Sequence, residues 1–104
     1  MKLRWSRRAL KDVAQLRDYI ALDSPVYAQQ FIGQLTTRLE NLSTFPRSGR
    51  LAPEAEHNDI REVVYRGYRA IYQLIEARQE IVIVTVVHGS RDLTDPDNQQ
   101  WEAR

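Results

Sequence analysis

The sequence predicts an α+β domain of two layers, a helical hairpin packed on an antiparallel β-meander in the order β-α-α-β-β-β. Two patterns carry that expectation. Apolar side chains recur at helical spacing from residue 10 to residue 42. From residue 60 onward, three runs rich in Val, Ile and Tyr follow one another across connections of two and five residues. Connections that short permit antiparallel hairpins and exclude parallel crossovers. A chain of 104 residues supports one such domain around one core, spanning 1–104 with 92–104 as a C-terminal tail.

Each element has its own warrant. "KLRW", residues 2–5, is a short extended segment suited to pairing along an edge of the meander. Ser6 stands in the N-cap position, where a serine hydroxyl accepts from an amide of the first turn that would otherwise be unpaired. The first helix is expected from about Arg7 to Leu22, with Leu10, Val13, Leu16 and Ile20 as its apolar stripe. "DSP" stops it and starts another, since Ser24 caps and Pro25 suits the first helical position, where its missing N–H costs no bond. Ala28, Phe31, Ile32, Leu35, Leu39 and Leu42 then form the seam of the hairpin.

The periodicity disappears in "FPRSGRLAPEAEHND", residues 45–59, which reads as a connection long enough to be a contact surface. The strands follow as "IREVVY" (60–65), "YRAIYQLI" (68–75) and "IVIVTVV" (81–87). The last is apolar on both faces, as a central strand covered on both sides requires. Arg69 and Gln73 share one face of the middle strand, which is expected to be only partly covered.

Composition narrows the function. Hydrophobic residues make up 42% and charged residues 28%, outside the regime of disorder. The lack of cysteine excludes disulfides and thiolate metal sites. His57 and His88 are the only histidines and have no ligand spacing, so no metal is expected. The glycines at 33, 49, 67 and 89 are dispersed, so no phosphate-cradling loop forms and no cofactor is expected. Ser90 lies beside His88 without a G-x-S-x-G elbow, which argues against a hydrolase triad. "MKLRWSRRALKD" lacks the apolar region of a secretory signal, and no apolar run approaches the roughly 20 residues of a membrane span. The expected setting is the cytoplasm, with no membrane partner. The net charge of +1 conceals +5 in residues 1–50 and −4 in 51–104, an asymmetry read first as a mixed surface that cancels on folding and only second as a first half facing an acidic partner.

Four stretches, "WSRRALKDVAQLRDYIALDSPVYAQQF", "FPRSGR", "IREVVYRGYRAIYQLI" and "VIVTVVHGSRD", together resemble the ParE/RelE superfamily of toxins from bacterial type II toxin-antitoxin systems. They cover most of the chain in the family's order and spacing. The resemblance implies a growth-arrest toxin held inactive in a hetero-oligomer with a cognate, ParD-like antitoxin. ParE-like members bind DNA gyrase and trap its DNA-cleaved state. RelE-like members cut messenger RNA in the ribosomal A site, and a degenerate member would only bind antitoxin and repress its own operon.

The nuclease reading requires a base for the 2′-hydroxyl, a cation for the phosphorane and an acid for the leaving oxygen. By resemblance, Arg69 and His88 would be the catalytic pair. The tyrosine or lysines that commonly accompany them are missing, since the last tyrosine is Tyr72 and the only lysines are Lys2 and Lys11. "GYR" and "HGSRD" are closer to ParE-like sequences, so gyrase inhibition is the expected activity and His88 a strand-end residue.

The candidate contacts with target or antitoxin are Arg7, Arg8, Lys11, Arg69, Arg91 and Trp101. Arg7, Arg8 and Lys11 lie on the first helix, either facing an acidic partner or solvated. Arg69 carries a planar donor fork for phosphate or carboxylate, with Glu62 across the hairpin as the internal alternative. Tyr68 and Tyr72 fall on the opposite side of that strand as core. Arg91 either pairs with Asp92 or is presented to a target. Trp101, a large aromatic in a polar tail, must be tucked in or used.

Overall fold

Ser6 Oγ accepts from the Ala9 amide (3.0 Å) and donates to the Val84 carbonyl (2.8 Å), so one side chain caps a helix and pins it to a strand. Ser24 Oγ caps the second helix by accepting from the Tyr27 amide (3.1 Å). In the computed structural model, which describes residues 1–53 and 59–89, the elements are β1 (Lys2–Trp5), α1 (Arg7–Ala21), α2 (Pro25–Glu40), β2 (Arg50–Leu51), β3 (Ile60–Tyr65), β4 (Tyr68–Ile75) and β5 (Glu80–His88). Single 3₁₀ turns, Asn41–Ser43 and Glu76–Arg78, end α2 and link β4 to β5.

The strand order is β1-β5-β4-β3-β2. β3, β4 and β5 form the expected antiparallel meander. β1 joins it alongside β5 in parallel register, Leu3 opposite Ile81 and Trp5 opposite Ile83, which makes the sheet mixed. No short loop links β1 to β5, so nothing imposes the antiparallel sense. A correction falls in 45–59, where Arg50 and Leu51 pair with Glu62 and Arg61 as a two-residue strand. A strand that short has no period to read.

The turn between β3 and β4 is made by Arg66 (φ 46°) and Gly67 (φ 87°), the double left-handed geometry that a two-residue hairpin needs. It pairs Tyr65 with Tyr68. Between β4 and β5 the register shifts: Tyr72 faces Ile83 but Ile71 faces Thr85, leaving Val84 as an extra residue. This is a β-bulge.

The main core lies between the helices and one sheet face, with Phe31, Leu35, Leu39, Tyr72, Ile81 and Ile83 at 4% exposure or less. Leu10 does not join it, being 56% exposed. Ala9 does, because 9, 13, 16 and 20 keep the four-three-four spacing of one helical face and Leu10 is turned about 100° from it. On the opposite face Ala52, Ile60, Ile71 and Val87 form a smaller apolar cluster.

Candidate functional site

Strand alternation sorts the sequence candidates onto two faces. Arg69 stands opposite Val64 and Val87, on the face away from the helices. It is buried there, as is Glu62, and its guanidinium grips that carboxylate with two bonds of 2.9 and 3.1 Å. Arg50 adds a looser contact to the same carboxylate at 3.4 Å. The expectation of a partly covered polar face is corrected here. A buried Glu62 requires a compensating cation, and Arg69 supplies it, the internal alternative of the sequence reading.

His88 is exposed at the other end of the chemistry. It stands opposite Tyr68, on the helix-side face, and the two rings meet edge to face at 5.4 Å. They form the end of an aromatic chain in which Tyr27 meets Phe31 (6.0 Å) and Phe31 meets Tyr68 (5.8 Å). His88 and Tyr68 line an open cleft of about 570 Å³ together with Arg8, Asp12, Gln15 and Tyr19 of α1. Arg8 donates to Asp12 (3.2 Å), whose second oxygen accepts from the Thr85 hydroxyl (2.6 Å) and the Val86 amide (3.0 Å). Asp12 therefore ties α1 to β5 beside the bulge.

The structure thus brings Arg8, an expected contact, into one cleft with His88, a residue of the nuclease alternative. Arg7 and Lys11 are exposed on α1 outside it, and Arg69 is on the opposite face. Arg91 and Trp101 lie outside the described residues, as does His57. Sequence reasoning passed over Asp12, Gln15 and Tyr19. Only Asp12, four residues after Arg8, left a signal. Near the helix-hairpin turn, Tyr19, Leu22 and Val26 are 68%, 82% and 67% exposed.

The "FPRSGR" stretch has a structural role. The Tyr72 hydroxyl donates to the Pro46 carbonyl (2.8 Å) and accepts from the Gly49 amide (3.0 Å), while the Arg61 guanidinium holds the Gly49 (2.9 Å) and Arg47 (3.3 Å) carbonyls. A Cβ at Gly49 would lie 2.5 Å from the Tyr72 hydroxyl and 2.6 Å from the Glu62 carbonyl oxygen, so only glycine fits. Burial raises the Tyr72 pKa, against the lowering pull of the Gly49 amide and of Arg61, Arg38 and Arg47. Among the described residues no cluster of His, Cys, Asp and Glu is arranged to hold a metal ion, and no helix is long and apolar enough to cross a membrane.

Comparison with known proteins agrees with this architecture. The family described as ParE toxin of type II toxin-antitoxin system, parDE, matches residues 3–93. Toxin RelE2 of Caulobacter vibrioides is 44% identical over 88 residues, covering 84% of this chain and 93% of that protein. Among solved structures, the chromosomal ParDE toxin-antitoxin system from P. aeruginosa superposes with a TM-score of 0.70 at 22% identity, covering 85% of this chain and 95% of that one. The isolated E. coli RelE toxin gives 0.63 at 23% identity, covering 88% and 86%. Both share the fold.

Proposed function

The chain belongs to the ParE toxin family of type II toxin-antitoxin systems, within the ParE/RelE superfamily, and we propose that it arrests growth by binding DNA gyrase and trapping its DNA-cleaved state. In this reading it acts in the cytoplasm and is neutralised by a cognate, ParD-like antitoxin bound in a hetero-oligomer. The observation that carries the choice of gyrase is the separation of Arg69 and His88. A phosphoryl-transfer site needs its cation and its proton-transfer group within reach of one phosphate. Here one is engaged with Glu62 on the far face and the other lies in the helix-side cleft. An inhibitor acting by contact needs only a surface. The exposed Tyr19, Leu22 and Val26 and the neighbouring cleft offer one suited to protein.

The name of the 44% identical relative, RelE2, keeps ribosome-dependent mRNA cleavage as the second reading. One paired assay separates the two: purified gyrase scored for supercoiling and trapped cleavage complexes, and translating ribosomes probed for A-site cuts. Gyrase trapping with intact message is the expected result. Cleaved message with untouched gyrase overturns it.

A further inference from the structure

The loop after α2 is braced from beneath and yet presents an aromatic ring to solvent. Four of its backbone groups, at Pro46, Arg47 and Gly49, are tied to the Tyr72 hydroxyl and the Arg61 guanidinium. Within the segment the Phe45 amide donates to the Asn41 carbonyl (3.0 Å) and the Ser48 amide to the Phe45 carbonyl (3.1 Å). Phe45 is nevertheless 64% exposed, and it borders an open hollow of about 370 Å³ with Thr44, Pro46, Arg47 and Ser48. An exposed ring on a braced loop costs little further ordering when a ligand meets it.

The charge around the loop is mostly of one sign. Residues 41–50, "NLSTFPRSGR", contain no carboxylate. Arg61, Arg38 and Arg47 all act electrostatically on the Tyr72 hydroxyl, which places three guanidinium groups around one point under the loop. Arg47 pairs with the exposed Glu76, a surface ion pair that yields readily to a competing anion. Among the described residues Arg38 and Arg61 have no carboxylate within ion-pair distance, and the buried Nε of Arg61 has no hydrogen-bond partner. Lys2 and Arg78, equally without an ion pair there, stand at the same end of the sheet, where the Met1 nitrogen donates to the Ser43 carbonyl (2.9 Å). Glu40, Asp59 and Glu80 also lie at this end, Glu80 held by Arg4, and leave the cations in excess.

We infer that this surface binds duplex DNA, with Arg47 and the Thr44 and Ser48 hydroxyls on a backbone phosphate and Phe45 entering at a base step. Arginine and hydroxyl side chains are the ordinary partners of phosphate oxygens, and the unpaired cations around them supply the sequence-independent attraction. A phenylalanine on a fixed loop is a wedge of the kind that opens a base step. The inference rests on the gyrase reading above, since gyrase holds a duplex beside whatever binds it. The spacing suits such a pair of contacts. Tyr19, Leu22 and Val26 lie at the other end of α2, which has 16 residues and is about 24 Å long, so one chain can meet the enzyme with one end and its DNA with the other.

The test titrates the full chain into a fluorescent DNA duplex over a range of salt, with single-stranded RNA of the same length beside it. The parent should prefer the duplex, and its affinity should fall steeply as salt rises. Arg47→Gln should weaken binding about threefold or more and lower the salt slope by about 1. Phe45→Ala should weaken it about fivefold or more, and Phe45→Leu, which keeps an apolar wedge, should recover most of that loss. Arg66→Asn removes the same charge at the β3–β4 turn, the opposite end of the sheet, and should leave affinity unchanged, with circular dichroism confirming that every variant folds. Arg47 and Phe45 variants that keep parental affinity, or a parent that binds no duplex or prefers RNA, overturn the inference. The titration contains no gyrase, so it fails separately from the gyrase reading. A chain that traps gyrase but binds no duplex loses the DNA surface and keeps gyrase as its target. One that binds the duplex through Arg47 and Phe45 and leaves gyrase untouched keeps the surface and loses the gyrase reading.

Discussion

Replacing Arg69 by Met tests whether the arginine is part of the fold. The Glu62 side chain is completely buried and Arg69 nearly so, with two bonds at 2.9 and 3.1 Å between them. Removing one member of a buried pair costs about 3–5 kcal/mol, because the other charge stays desolvated. The Arg69→Met variant should fall at the lower end, near 3 kcal/mol, since Arg50 remains 3.4 Å from Glu62. Arg50 is 64% exposed, so its screened charge offsets part of the loss and not the whole of it. Glu62→Leu should cost at least as much. The double variant Glu62→Leu/Arg69→Met, with no charge left to desolvate, should come within about 1 kcal/mol of the parent. In a domain of this size 1 kcal/mol moves the melting temperature by about 4–8 °C, so Arg69→Met should melt some ~12–24 °C lower. Urea titration followed by Trp5 fluorescence gives the free energies, with unchanged slopes as the check on two-state behaviour. Single-variant losses below about 1 kcal/mol, or a double variant as unstable as the sum of the singles, would refute the reasoning.

Three further tests address the loop, the helix start and the cleft. Tyr72 has its pKa raised above the ordinary 10.0 by burial, so its neutral form is favoured in the folded state. Its stabilising contribution is complete below pH 10, the ordinary value, and is lost as pH rises from there through the folded pKa; Tyr72→Phe should flatten that alkaline limb in denaturation measured against pH. Ser6→Ala removes the cap on Ala9 and leaves the Val84 carbonyl without its donor, and should cost about 2 kcal/mol in the same titration. His88→Ala should leave gyrase inhibition within about threefold of the parent, as one residue of a broad contact does, whereas a nuclease using it would lose most of its rate.

The helical hairpin was legible because its signals are local: two serine caps, a proline at a helix start and an apolar stripe through α2. The meander was legible from its short connections. Leu10 was misplaced because in α1 a single-residue offset moves an apolar side chain off the buried face, and Ala9 gives little pattern of its own. β2 escaped notice because its two residues are held by pairing with β3 and by the Tyr72 and Arg61 contacts to the preceding loop, all with partners ten or more positions along the chain. The cleft was legible only at Arg8 and His88. Gln15 and Tyr19 join it through the packing of α1 against β5, which no short window of sequence contains.

The separation of Arg69 from His88 turns on a single residue. From Ile75 opposite Glu80 to Tyr72 opposite Ile83, β4 and β5 run in one regular register. Continued without interruption, that register would set Arg69 opposite Val86 and His88 on the same face as Arg69, since residues two apart on a strand share a face. Val84 breaks it. With that extra residue, Arg69 falls opposite Val87 and His88 opposite Tyr68, on the helix side. Nothing in "IVIVTVVHG" distinguishes a bulged from an unbulged strand, because Val84 is β-branched like its neighbours Ile83 and Thr85. Asp12 braces the bulge: its carboxylate accepts from the Thr85 hydroxyl and the Val86 amide at the irregularity, 73 and 74 positions away in the chain. A carboxylate on the first helix therefore helps decide which face the last strand shows at its end. It also bears on function, because the face on which His88 emerges determines whether it can share a phosphate with Arg69.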